Sequence, residues 1–247
     1  PGTVDRDRAE RRGAADHVAA LQFDSLPSPA VVSGDSLRDS VGRAAPLRAI
    51  AINGAGTPVV DAAIQYIALD TGITIGAGGY VTAQARSGSP RIVASAGGLQ
   101  TKPMPLIITR RPDTVTVTGK ARDTLSYVVP DVAASNTSAS LSLKVVTRDT
   151  AGAVTVTKGW LVSYQLFHDG AAVAATDTTV ASLVADDGAR STLDTTGTEG
   201  VASRKVRVRP LGIRANPDSV VVLATVRYRG TAVRGTPARF VILLRPK

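Results

Sequence analysis

Residues 103–112 read Pro-Met-Pro-Leu-Ile-Ile-Thr-Arg-Arg-Pro, and residues 237–246 read Pro-Ala-Arg-Phe-Val-Ile-Leu-Leu-Arg-Pro. Each is an apolar run held between prolines nine residues apart, and each closes on Arg-Pro. Moving upstream from either run, the same signals appear in the same order. Ile92-Val93-Ala94-Ser95-Ala96-Gly97-Gly98 stands before the first run, and Val220-Val221-Val222-Leu223-Ala224-Thr225 before the second. Earlier still come Gly79-Tyr80-Val81-Thr82-Ala83 and Gly200-Val201-Ala202-Ser203. Earliest are Asn53-Gly54-Ala55-Gly56-Thr57-Pro58-Val59, which leads to a strand with Tyr66, and Asp149-Thr150-Ala151-Gly152-Ala153-Val154, which leads to one with Tyr164. Self-similarity in fixed order signals two copies of one module.

Between these landmarks lie short β-branched runs punctuated by Gly, Pro, Asp and Asn, the texture of an all-β sandwich. In the first copy the runs predict strands near 30–33, 46–53, 62–69, 80–85, 90–96 and 104–110. In the second they predict strands near 114–118, 139–147, 160–167, 178–184, 201–209, 219–229 and 238–245. Arg111-Pro112-Asp113 marks the joint, because proline restricts both itself and the residue before it. The expected division is therefore an N-terminal arm over 1–26, a first sandwich over 27–112 and a second over 113–247. The arm, extended or partly helical, rests on the alternating charges of Asp5–Arg12 and the Ala-rich stretch that follows, interrupted by Gly13.

Composition limits the chemistry. With no cysteine there are no disulfides, thiolate metal sites or cysteine nucleophiles. Aromatic residues are 4% of the chain, so the cores must be built from Val, Ile, Leu and Ala. Histidine occurs only at His17 and His168, the latter before Asp169-Gly170, where a solvent-facing turn is expected. Asp169-Gly170 and Asp186-Asp187-Gly188 are turn dipeptides before they are calcium loops, and the alternating acids of a calcium-binding loop are missing. Gly76-Ala77-Gly78-Gly79 lacks the Lys-Ser/Thr of a phosphate loop. Asn136-Thr137-Ser138 has the form of a glycosylation acceptor. No catalytic residue, metal ligand or cofactor is expected. No apolar run reaches the length of a membrane-spanning helix. The start at Pro1 suggests a removed export signal and hence a periplasmic or extracellular location.

The order Asp/Asn-x-x-Gly-x-Pro/Val-Val, an aromatic strand, Gly-Val-Ala, then a Val/Ala strand ending in Gly resembles the bacterial immunoglobulin-like domains of the Big and invasin-like group. Asp149–Val154, Thr198-Glu199-Gly200-Val201-Ala202 and Val220–Gly230 carry the resemblance best, and it covers 27–247 in two copies. It implies two tandem immunoglobulin-like β-sandwiches without cofactor or catalytic residues, used as spacer, adhesin or scaffold. The departure is the long, Arg-rich terminal strands of the second copy.

Those strands hold the charge. Residues 201–247 carry eleven basic residues and the single acid Asp218, although the whole chain is only +9. Period two puts Lys205, Arg207 and Arg209 on one side of their strand, Arg227 and Arg229 around Tyr228, and Arg239 and Arg245 with Val241 and Leu243 opposite Phe240, Ile242 and Leu244. If the strands are neighbours, they form one arginine face mixed with aliphatics, which suits a protein partner. Anionic lipid head groups are a further contact such a face would accept. Nucleic acid would want interleaved aromatics, and only Tyr228 is available. No small-molecule substrate is expected. The expected role is a non-catalytic structural or accessory subunit on the periplasmic or extracellular face of a larger, membrane-embedded complex, for example respiratory or photosynthetic, with arm and basic face as contacts. The alternative is a cell-surface adhesin or carbohydrate-binding module, for which only Trp160 offers a stacking surface.

Overall fold

The structure, a computed structural model, describes residues 17–213 and 218–247. The chain divides into two compact units, one formed by residues up to Asp39 with Ala44–Arg110, the other by Ser40–Arg43 with Arg111–Lys247. No helix among the described residues is long and apolar enough to cross a membrane.

The first unit holds β1 (Val18–Ser25), β2 (Ala30–Val32), β3 (Arg48–Asn53), β4 (Gln65–Ala68), β5 (Ile73–Ile75), β6 (Val81–Ala83), β7 (Arg91–Ala96), β8 (Leu99–Gln100), β9 (Met104–Pro105) and β10 (Ile107–Thr109). β1 pairs antiparallel with β3, β4 with β7, and β5 with β6, whereas β2 runs parallel to β10. Val31, Leu37, Leu47, Ile73, Val81, Ile92, Leu106 and Ile108 form the core. Phe23 and Tyr66 pack against it, their rings stacked at 6.3 Å between centroids.

Two expectations change here. The arm over 1–26 is replaced, over Val18–Ser25, by the first strand of the unit; residues 1–16 lie outside the described residues. Leu21 and Phe23 turn inward while Gln22 and Asp24 stay exposed, but a register shift between Val18 and Ala20 breaks the alternation. An Ala-rich stretch with an interrupted period does not read as a strand from sequence. The run Pro103–Pro112 is two strands rather than one: β9 pairs with β7, and β10 pairs with β2. Pro105 lacks the N–H that an uninterrupted ladder needs.

The second unit holds β11 (Thr114–Val117), β12 (Arg122–Tyr127), β13 (Leu141–Arg148), β14 (Val154–Val156), β15 (Leu161–His168), β16 (Ala171–Ala172), β17 (Ala181–Val184), β18 (Leu193–Thr195), β19 (Val201–Val208), β20 (Asp218–Thr225), β21 (Arg227–Tyr228), β22 (Thr231–Ala232) and β23 (Ala238–Pro246). One sheet has the order β11-β13-β19-β17, with β14 added to β13. The other has the order β12-β23-β20-β15-β16, with β18 added to β15. The opening segment is shared between sheets: β11 is antiparallel to β13, and β12 is parallel to β23. This strand order is that of an immunoglobulin-type sandwich. Alternation builds its interior. Leu141, Leu143, Val145, Val206 and Val208 point in from one sheet, and Val162, Leu166, Val220, Val222, Phe240, Ile242 and Leu244 from the other, all buried. Each such side chain contributes about 1.5–3 kcal/mol by leaving water.

The repeat seen in sequence is a repeat of specific bonds. Asn53 Oδ1 accepts the N–H groups of Ala55 and Thr57, and Asp149 Oδ1 accepts those of Ala151 and Ala153. Leu47 N–H donates to Gly79 O, and Val145 N–H donates to Gly200 O. Both glycines have positive φ, +83° and +70°. A Cβ at Gly200 would meet Val145 O at 2.8 Å, and one at Gly79 would meet the Tyr66 ring at 2.9 Å. Glycine at these two positions is thus required by left-handed backbone and by close approach.

Candidate functional site

The basic residues singled out in the sequence do not share one face. β19 lies between β13 and β17 in one sheet, and β20 and β23 pair with each other in the other. The predicted strand over 219–229 also ends at Thr225, and Arg227 and Arg229 belong to the separate β21–β22 ribbon. The reason is topological. Period two tells which side of a strand a residue occupies, but in this sandwich the chain crosses between sheets after β19.

The β19 set is paired with acids. Asp131 accepts Arg207 Nη2 at 2.6 Å, Arg209 Nη1 at 2.6 Å and Asn136 Nδ2 at 3.0 Å. These donors hold the Asp131 carboxyl down at about 2, with the Arg209 hydrogen bond contributing most, against the opposing effect of desolvation. Arg207 is buried and also donates to Val208 O at 2.6 Å. Lys205 pairs with exposed Asp186 at 2.9 Å. On the inner side of the same strand, buried Arg204 pairs with Asp194 at 3.0 Å and donates to Ser191 O and Leu193 O. Next to this pair the hydroxyl of Tyr164 is buried without a hydrogen-bond partner among the described residues, and burial pushes its pKa up. The corresponding Tyr66 accepts the N–H of Ala49 at 3.0 Å.

The ribbon set is held locally. Arg229, at φ 50°, lies 5.5 Å from the centroid of the Tyr228 ring, and Arg111 lies 5.3 Å from it. Arg227 donates to Gly230 O at 3.1 Å.

The β23 set is different. Arg239 and Arg245 are exposed and make none of the ion pairs or side-chain hydrogen bonds found among the described residues. They flank half-buried Val241 and exposed Leu243, and the ladder sets Val241 beside Val221 and Arg239 beside Leu223. On the other flank Arg122 of β12 stands beside Val241, equally exposed and without an ion-pair partner among the described residues. Arg122 is not legible as a site residue in the sequence, because 122–127 does not read as a strand. Its signal was present in Leu125 and Tyr127, which turn inward between exposed Thr124 and Ser126.

Other candidates resolve as structural. His168 is not a solvent-facing turn residue: its ring is largely buried, with Nε2 2.9 Å from Asp218 Oδ2 and Nδ1 3.7 Å from Asp169 Oδ2. These three residues are the one group among the described residues whose donor atoms, all within 4.8 Å, would suit a cation. The Nε2–Asp218 bond also accounts for the ring as a pin between β15 and β20. Asp187 Oδ1 accepts the N–H of Ala189 and closes its turn. Asn136 is fully buried, and its Nδ2 donates to Val128 O and Asp131, so the acceptor triplet is inaccessible in the folded unit. Trp160 is buried, 6.3 Å from Tyr228 between ring centroids, and offers no stacking surface for sugars.

No protein-family model matches the sequence, and no curated protein matches it. Among solved structures, domains 4 and 5 of the S-layer protein SbsC are similar at 13% identity and a TM-score of 0.32, covering 93% of this chain and 99% of that one. The adhesin InvE of Yersinia pseudotuberculosis is similar at 13% identity and a TM-score of 0.33, over 91% of this chain and 58% of its own. The adhesin FdeC of Escherichia coli is similar at 14% identity and a TM-score of 0.28, over 90% and 63%. The chain thus spans less than two thirds of either adhesin. The strand order itself makes the second unit an immunoglobulin-type sandwich.

Proposed function

We propose that the chain is a non-catalytic structural or accessory subunit, displayed on the periplasmic or extracellular face of a larger membrane-embedded complex. It docks on a partner protein through the outer face of β12, β23 and β20. One observation carries the reading: Arg122, Arg239 and Arg245 lack ion-pair partners among the described residues and surround Val221, Leu223, Val241 and Leu243 on that face. Guanidinium groups left without acids beside half-buried aliphatics match the make-up of protein interfaces, where Arg is enriched and apolar area is central. The complementary partner surface is acidic at its rim and apolar at its centre.

The test is a mild-detergent pull-down with the partners identified. Wild-type chain should retain a stable membrane complex at moderate salt. An Arg122→Glu/Arg239→Glu/Arg245→Glu variant that still folds should lose it. Retention by that variant, or capture of anionic lipid alone, overturns the reading.

A further inference from the structure

A second surface, on the opposite sheet, has the form of a binding groove. Between the turn at Ala133–Ser138 and the hairpin at Val184–Arg190 lies a cavity of about 620 Å³, floored by β17 and β19. Its cations are Arg190, Lys205, Arg207 and Arg209, and its own carboxylates are Asp186 and Asp187. The small side chains of Ala133, Ala134 and Ala185 leave the groove open.

Donor capacity there exceeds what the fold uses. Arg190 makes no side-chain hydrogen bond or ion pair with any described residue. A guanidinium has five N–H donors. Arg209 commits one contact to Asp131, and Arg207, nine-tenths buried, commits its contacts to Asp131 and Val208 O. Among the described residues Lys205 is held only by Asp186, whose side chain is 77% exposed. A pair that exposed is worth little and is readily exchanged.

The spacing of these cations selects the ligand. Lys205, Arg207 and Arg209 follow one another at every second residue of an extended strand, so their Cα atoms repeat at about 6.7 Å. An extended peptide with acidic residues at alternate positions presents carboxylates on one side at that same interval. Across the groove, Val184 pairs with both Lys205 and Arg190, which sets Arg190 against the opposite side of such a peptide. We infer that this groove binds an extended acidic segment of a partner protein, with carboxylates at alternate residues received by Lys205, Arg207 and Arg209, while Arg190 flanks the other edge of the segment and donates to its main-chain carbonyls or to an acid on that side. Arg207 and Arg209 arrive already oriented by Asp131, so less side-chain freedom is lost on binding. The site is separate from the β12–β23 face and does not depend on it.

The experiment uses the full chain and two labelled peptides, followed by fluorescence anisotropy at about 0.15 M salt. One is an acetylated octapeptide that alternates glutamate with serine; the other is its isomer with the four glutamates in a row. The alternating peptide should bind about fivefold or more tightly than its isomer, reflecting register with paired charges. Arg190→Ala and Lys205→Ala should each weaken it about threefold or more, and Arg239→Ala/Arg245→Ala should leave it unchanged. Neither groove substitution touches the Asp131 bonds, and circular dichroism would confirm folding. Equal binding of the two isomers, tighter binding of a sulfated oligosaccharide than of the alternating peptide, or no binding at millimolar peptide would each overturn the proposal. So would a loss confined to the Arg239→Ala/Arg245→Ala variant, which would move the contact to the other face.

Discussion

β19 and β23 are both arginine-bearing strands of the second unit, yet they treat charge in opposite ways. On β19 and the residue after it, Arg204, Arg207, Arg209 and Lys205 each have an acid: Asp194, Asp131 for two of them, and Asp186. On β23 Arg239 and Arg245 have none among the described residues. The sequence around the two strands is similarly basic, so the difference lies in what the fold brings alongside. A buried cation without a partner is very costly, whereas an exposed one is held by water at no such cost. Cations with built-in acids are held by the fold first and reach outward only with the donors left over, whereas cations without them are wholly available to something outside it.

The largest test of this contrast is a pair of charge reversals. Arg207→Glu puts a carboxylate at a nine-tenths-buried position facing Asp131 and should lower the stability of the second unit by about 2–4 kcal/mol. Arg239→Glu should change it by no more than about 0.5 kcal/mol. Urea denaturation followed by fluorescence of Trp160, the one tryptophan, reads that unit. Similar costs for the two variants would break the contrast.

Next in size is Asp131→Asn, which leaves Arg207 without its charged acceptor and should cost about 1–3 kcal/mol. The same variant removes the acid dependence that Asp131 contributes. Asp131 titrates near 2 rather than at 3.8, so its contribution is complete above 3.8 and disappears as pH falls through about 2. Carboxyl NMR should show Asp131 titrating near 2 in the wild type and closer to 3.8 in Arg209→Ala, since that arginine contributes most. Substitutions at Arg239 and Arg245 should not move it. The smallest effect belongs to Asp186→Ala, which breaks an exposed pair with Lys205 and should cost at most about 1 kcal/mol in the same denaturation assay. A larger loss would make Lys205 a structural residue and weaken its assignment to the groove.

How far the sequence carried the reading follows from the range of each signal. The loops at Asn53 and Asp149 and the glycines at 79 and 200 are local, and they could be read directly because turn geometry is written in a few neighbouring residues. The inward Phe240, Ile242 and Leu244 were legible from period two. Sheet membership was not: nothing local to 201–208 states that it joins β13 and β17 rather than β20. Nor was the Asp131–Arg207 contact, whose partners are 76 residues apart. β1 and β12 were missed for opposite reasons, the first because its alternation is broken by a register shift and the second because its alternation is short and carries only Leu125 and Tyr127 on the inner side.

The parallel closing pairs, β2 with β10 and β12 with β23, have a mechanical consequence. In each unit an opening strand lies alongside the last strand and points the same way. Tension drawn through the chain pulls those two strands along their length in opposite directions, so the hydrogen bonds between them are loaded together instead of parting one at a time. The second unit presents six residue pairs to that load, from Arg122 with Val241 to Tyr127 with Pro246, and the first presents three, from Ile107 with Ala30 to Thr109 with Val32. Counted by these two parallel pairs alone, the clamp of the first unit is expected to part before that of the second.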